Sequence, residues 1–136
     1  MNSGMKTVLI ADDIPYVRKT LKQILQNRGY RVVGEAENGE EAVRLYFETR
    51  PDLVTMDLVM PRMNGVEATR SILQQDPEAR IIILSAMTQE NLIAEAIQAG
   101  ALDYIVKPFQ TDEVIKVLEE RGAPSRYGAD ASGGAA

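Results

Sequence analysis

Five short apolar runs alternate along the chain with five stretches of helical periodicity. The runs are Thr7-Ala11, Arg31-Ala36, Leu53-Met56, Ile81-Leu84 and Asp103-Val106. Val8-Leu9-Ile10-Ala11, Leu53-Val54-Thr55-Met56 and Ile81-Ile82-Ile83-Leu84 are apolar without alternation, the pattern of parallel strands covered on both faces. The second run mixes Arg31 and Glu35, followed by Glu37, with Val32 and Val33, which suits a strand at a sheet edge.

Between the runs the period lengthens. Val17, Leu21, Ile24 and Leu25 form one face of a helix that begins near Pro15 and ends at Gly29. Asn38 with Glu41, and Asn64 with Glu67, have the spacing of helix caps with a return contact. Pro51 and Pro77 follow the second and third helices as stop signals. Leu92, Ile93, Ala96 and Ile97 form the apolar face of a fourth helix closed by Gly100. Val114, Val117 and Leu118 mark a fifth, which starts near Thr111. Five βα units of this length predict an α/β, doubly wound, flavodoxin-like (βα)5 fold with helices on both faces. The polar second run favours a five-stranded parallel sheet of order 2-1-3-4-5.

Composition narrows the chemistry. The chain has 136 residues, 45% of them hydrophobic, enough for one domain with one core. The absence of Cys and His excludes thiolate and imidazole metal sites, a Ser-His-Asp triad and a His general base. A net charge of -5 argues against direct nucleic-acid binding. No apolar run is long enough to span a bilayer, and the first residues lack a signal-peptide core. The expectation is a cytoplasmic domain over residues 6–121. Residues 1–5 read as a disordered start, and residues 122–136, rich in Gly, Ala and Ser, as a flexible tail.

In a parallel α/β sheet the ligand site lies beyond the carboxyl ends of the strands. Those ends carry Asp12 and Asp13 after strand 1, Asp57 at strand 3, Ser85 at strand 4 and Lys107 at strand 5. The four strands are neighbours in the proposed order, so three carboxylates, a hydroxyl and an ammonium converge. Two carboxylates ~4 Å apart repel by roughly 1 kcal/mol at bulk dielectric and about 4 kcal/mol at an effective dielectric of 20. One lysine cannot neutralise three of them. A hard divalent cation with oxygen ligands can, and Mg²⁺, or Mn²⁺ as a substitute, suits such a donor set. Any one of these residues alone would read as an ordinary turn, cap or surface residue. Their joint register at adjacent strand ends is the specific signal.

These residues in this order resemble the response-regulator receiver domain of two-component signalling, of the CheY-like kind. The resemblance covers about residues 6–120. It rests on Asp12-Asp13, Asp57, Met60-Pro61 with Asn64-Gly65, Ser85-Ala86, Ala99-Gly100-Ala101, Tyr104 and Lys107-Pro108-Phe109. It implies that Asp57 is the nucleophile that takes a phosphoryl group from a histidine kinase. It implies that Asp13, Asp57 and the Val59 carbonyl ligate Mg²⁺, with Asp12 acting directly or through water. Lys107 and Ser85 would contact phosphoryl oxygens, Ser85 and Tyr104 would be the switch residues, and the Lys107-Pro108 peptide would be cis. The readout face would be helix 4, strand 5 and helix 5, met by an output protein, with the chain a monomer or weak dimer. The resemblance implies no enzyme beyond self-phosphorylation from a phosphodonor and slow self-dephosphorylation.

Val59 and Met87 occupy positions that tune hydrolysis in the family, and both are apolar. Neither can orient a water, so slow self-hydrolysis is expected. Leu84-Ser85-Ala86-Met87 and Lys107-Pro108-Phe109-Gln110 resemble stand-alone chemotaxis receivers, whereas Gly65-Val66-Glu67-Ala68-Thr69-Arg70 resembles receivers of some transcription regulators. A stand-alone chemotaxis-type receiver is therefore expected. The alternatives are a receiver cut from a DNA-binding regulator and a non-phosphorylated adaptor of the same fold. A phosphohydrolase would need a second acid where Val59 stands. Nucleotide and flavin binders would need a Gly-rich loop in place of Asp12-Asp13-Ile14-Pro15.

Overall fold

A computed structural model describes residues 5–122. The expected disordered start and flexible tail lie outside the described residues, except at Met5 and Gly122. The elements alternate as β1 (Thr7–Ala11), α1 (Pro15–Asn27), β2 (Arg31–Ala36), α2 (Gly39–Thr49), β3 (Leu53–Asp57), α3 (Gly65–Gln75), β4 (Ile81–Ala86), α4 (Glu90–Ala99), β5 (Asp103–Lys107) and α5 (Thr111–Gly122). All strand pairs are parallel and the sheet order is β2-β1-β3-β4-β5. The polar β2 is an edge strand, as its sequence predicts.

Alternate strand residues feed two separate apolar layers. Leu9, Val54, Met56, Ile81 and Ile83 pack with Tyr46, Ile72 and Ala96 from α2, α3 and α4. Val8, Ile10, Leu53, Ile82 and Leu84 pack with Leu21 and Leu25 of α1 and with Val114 and Leu118 of α5. This double burial is why β1, β3 and β4 read as continuous apolar runs. In α4 only Ala96 of the expected apolar face is fully buried; Leu92 and Ile93 are partly covered and Ile97 is exposed.

The helix starts follow their local chemistry. Pro15 occupies the first turn of α1, where its missing N–H costs nothing. Asn64 and Glu67 form a complete reciprocal cap on α3. On α2, Asn38 accepts from the Glu41 N–H, but the return contact of Glu41 goes to the Glu37 N–H, one residue earlier than expected. The only buried tyrosine among the described residues, Tyr46, donates its hydroxyl to Asp76 at 2.6 Å, which satisfies its polar end inside the core.

Candidate functional site

Register brings the expected residues together. Asp57 is the last residue of β3, opposite Leu84. Ser85 lies opposite Val106, and Ala86 opposite Lys107, at the ends of β4 and β5. Asp12 and Asp13 follow β1 directly, and the Asp12 N–H is held by the Ala36 carbonyl of β2 at 3.0 Å. The Lys107-Pro108 peptide is cis.

The carboxylates differ in what already engages them. Asp12 is buried and both of its oxygens are used: Oδ1 accepts from the Ile14 N–H at 2.9 Å and Oδ2 from Lys107 Nζ at 3.0 Å. Arg18 also donates to the Asp12 backbone carbonyl at 2.7 Å. Asp57 is 5% exposed and lies 3.3 Å from Lys107 Nζ. Asp13 is exposed. One oxygen of each of the three acids falls within 4.8 Å of the other two. Such a set of hard oxygen donors fits a divalent cation held by carboxylates.

Electrostatics point the same way. Burial pushes the Asp57 carboxyl up to about 6, the negative charge of Asp12 adds to the rise, Lys107 opposes it, and Asp13 contributes the smallest rise. Burial works against the Lys107 ammonium, but its contacts with Asp12 and Asp57 outweigh this and raise its pKa. One ammonium is shared by two buried acids, so the cluster is short of positive charge.

The surroundings of Asp57 are tightly built. The β3–α3 loop passes through Arg62 in the left-handed region, at φ 70°. The Gly65 N–H then returns to the Leu58 carbonyl at 2.8 Å. A Cβ at Gly65 would collide with the Asp57 carbonyl and the Leu58 backbone, so only glycine lets α3 start so close to β3. Val59 and Met87 project into solvent, 50% and 69% exposed. Tyr104 is 45% exposed and helps line a 410 Å³ cavity with Met87, Glu90, Ile93, Ala94 and Val106.

Sequence reasoning missed one polar partner. Ser85 is fully buried, and its Oγ lies 2.6 Å from Gln89 Oε1 and 3.1 Å from the Ala86 carbonyl. The only signal was the four-residue spacing from Ser85 to an amide just before α4.

A parallel five-stranded sheet with an acidic cluster and a lysine at adjacent strand ends defines a class, the doubly wound α/β proteins that bind at their strand termini. The comparisons specify it further: the response regulator receiver domain matches residues 8–119, and the chain belongs to that family. The chemotaxis protein CheY of Thermotoga maritima is 52% identical over 115 residues, 85% of this chain and 96% of that protein. CheY of Bacillus subtilis is 51% identical over 113 residues, 83% of this chain and 94% of that protein. A crystal structure of a CheX-CheY-BeF3-Mg²⁺ complex from Borrelia burgdorferi superposes with a TM-score of 0.81 at 33% identity, covering 88% of this chain and 96% of that one. Among the described residues no helix is long and apolar enough to cross a membrane.

Proposed function

We propose that this receiver is the phospho-acceptor of a chemotaxis-type two-component relay. A carboxylate oxygen of Asp57 attacks the phosphorus of a kinase phosphohistidine. The P–N bond breaks, its electron pair stays on the imidazole, and the phosphoryl group remains on Asp57 as an acyl phosphate. The observation that carries this reading is the position of Asp57 at the end of β3, buried beside Asp12 and 3.3 Å from Lys107.

Asp13, Asp57 and the Val59 carbonyl would hold Mg²⁺ or Mn²⁺, with Asp12 directly or through water. The bound cation supplies charge neutralisation for the phosphoryl oxygens. The rest is work for the chain's own groups. Lys107 exchanges its pairing with Asp57 for a phosphoryl oxygen. Ser85 donates its hydroxyl to another. Asp57 needs no general base, because it attacks as a carboxylate, and its raised pKa still leaves it largely ionised at neutral pH. Tyr104 then moves toward space that Ser85 vacates, and the α4-β5-α5 face presents a changed surface to an output protein. Its chemistry is confined to self-phosphorylation from a phosphodonor and slow self-dephosphorylation.

Support comes from the CheY relatives, which the chain matches nearly end to end, and from the CheY neighbour whose complex contains BeF3 and Mg²⁺. The test is incubation with Mg²⁺ and acetyl phosphate, followed by intact mass. The expected result is a gain of one phosphoryl group, lost in Asp57→Asn. No gain, or a gain that persists in Asp57→Asn, overturns the reading.

A further inference from the structure

The turn that joins β4 to α4 is closed by one side chain. Gln89 precedes the first residue of α4, and its backbone carbonyl accepts the Ile93 N–H at 3.0 Å to start the helix. Its backbone N–H donates to the Ala86 carbonyl at 3.1 Å. Its side chain reaches back, and Oε1 accepts from the Ala86 N–H at 3.0 Å. That contact settles which way the amide faces, because a backbone N–H can only donate and must meet the oxygen.

The consequence falls on Ser85. An amide oxygen only accepts, so the 2.6 Å contact with Gln89 is a bond in which the Ser85 hydroxyl gives its single hydrogen. The competing acceptor, the Ala86 carbonyl, is farther away at 3.1 Å. Ser85 is fully buried, so no solvent exchange relaxes this commitment. A hydroxyl that donates to Gln89 has no hydrogen left for a phosphoryl oxygen on Asp57.

We infer that Gln89 is a positioning residue that latches Ser85 in the unphosphorylated state and sets how readily the receiver switches. The inference rests on the reading of Asp57 as phospho-acceptor. When the Ser85 hydroxyl turns to the phosphoryl group, Gln89 loses one of its two donors and the β4–α4 turn loosens at the first turn of α4. The latch thus ties the acid site to the wall of the cavity formed by Met87, Glu90 and Ile93. A ligand that favours the unlatched state must first offset the Ser85–Gln89 bond, so removing the bond raises its apparent affinity.

The probe is beryllofluoride with Mg²⁺, titrated by Tyr fluorescence or fluorine NMR on the full chain. Gln89→Met keeps the length of the side chain and removes the acceptor; Gln89→Ala, run in parallel, guards against a folding failure of either. The expected result is binding about threefold to tenfold tighter than wild type, the size of one net hydrogen bond. In a Ser85→Ala background the same substitution changes nothing, because there is no hydroxyl to release. Unchanged or weaker binding overturns the latch, and so does equal tightening with and without the Ser85 hydroxyl. A wild type that binds no beryllofluoride, or binding that survives Asp57→Asn, overturns the reading of the site and the latch with it. Wild-type binding that needs Asp57 but is indifferent to Gln89 overturns the latch alone.

Discussion

Lys107 Nζ donates to Asp12 Oδ2 at 3.0 Å, joining residues 95 positions apart across the carboxyl edge of the sheet. The same ammonium lies 3.3 Å from Asp57, so one cation serves two buried acids.

Burial of Asp57 gives a pH dependence that the shared cation only partly offsets. The folded state holds the Asp57 pKa at about 6 against an ordinary 3.8, so between these values the native state binds more protons than the unfolded one. Stability contributed by this group is full below about pH 4, falls as pH rises toward 6, and is flat above. Asp57→Asn removes the penalty. Without divalent cation, urea unfolding at pH 7 should show it more stable than wild type by roughly 2 kcal/mol, with the gap closing near pH 4. An equal gap at both pH values would count against the burial account.

Asp13 is the exposed acid of the three, and its removal separates stability from metal response. Asp13→Asn should change metal-free stability by less than about 0.5 kcal/mol, as ordinary surface substitutions do. Millimolar Mg²⁺ should raise the Tm of wild type and raise that of Asp13→Asn much less. A full Mg²⁺ response in the variant would remove Asp13 from the ligand set.

Val59 and Met87, two residues beyond Asp57 and Ser85 in the chain, are exposed and apolar. Val59→Asn should shorten the lifetime of the phosphorylated protein several-fold by giving an attacking water a hydrogen-bond partner. The check is the decay of the intact-mass signal after acetyl phosphate is removed. A wild-type lifetime of only seconds would contradict the slow hydrolysis expected here.

Much of this was legible in the chain. Unbroken apolar runs announced β1, β3 and β4 because both sheet faces are covered, and the polarity of Arg31 and Glu35 marked β2 as an edge. Asp12, Asp13, Asp57, Ser85 and Lys107 could be placed on one patch because strand ends in a parallel sheet share a side. What stayed hidden depends on side-chain direction. The use of both Asp12 oxygens by Ile14 and Lys107, and the reach of Gln89 to Ser85, are contacts that no periodicity encodes. The exposure of Ile97 has a similar origin, since a hydrophobic stripe does not say how much of it a neighbouring helix covers.

Gly65 was legible only as part of a motif, and its reason is steric. Gly65→Ala should cost at least about 2 kcal/mol, because the clash is with backbone of Asp57 and Leu58 that cannot rotate away. Urea unfolding measures the loss. If the variant still folds, uptake of the phosphoryl group should fall as well, since the displaced atoms belong to Asp57 itself.

The two-layered core has a further consequence for the acid site. Ile81 and Ile83 face one layer, Ile82 and Leu84 the other, and Ser85 comes next on the same strand. A slip of β4 by one residue would therefore exchange the layers at the same moment that it carried Ser85 out of place. A slipped β4 cannot yield a sound scaffold with a faulty site, because the same rungs align both. Quality control of the packing is, in this molecule, quality control of the signal.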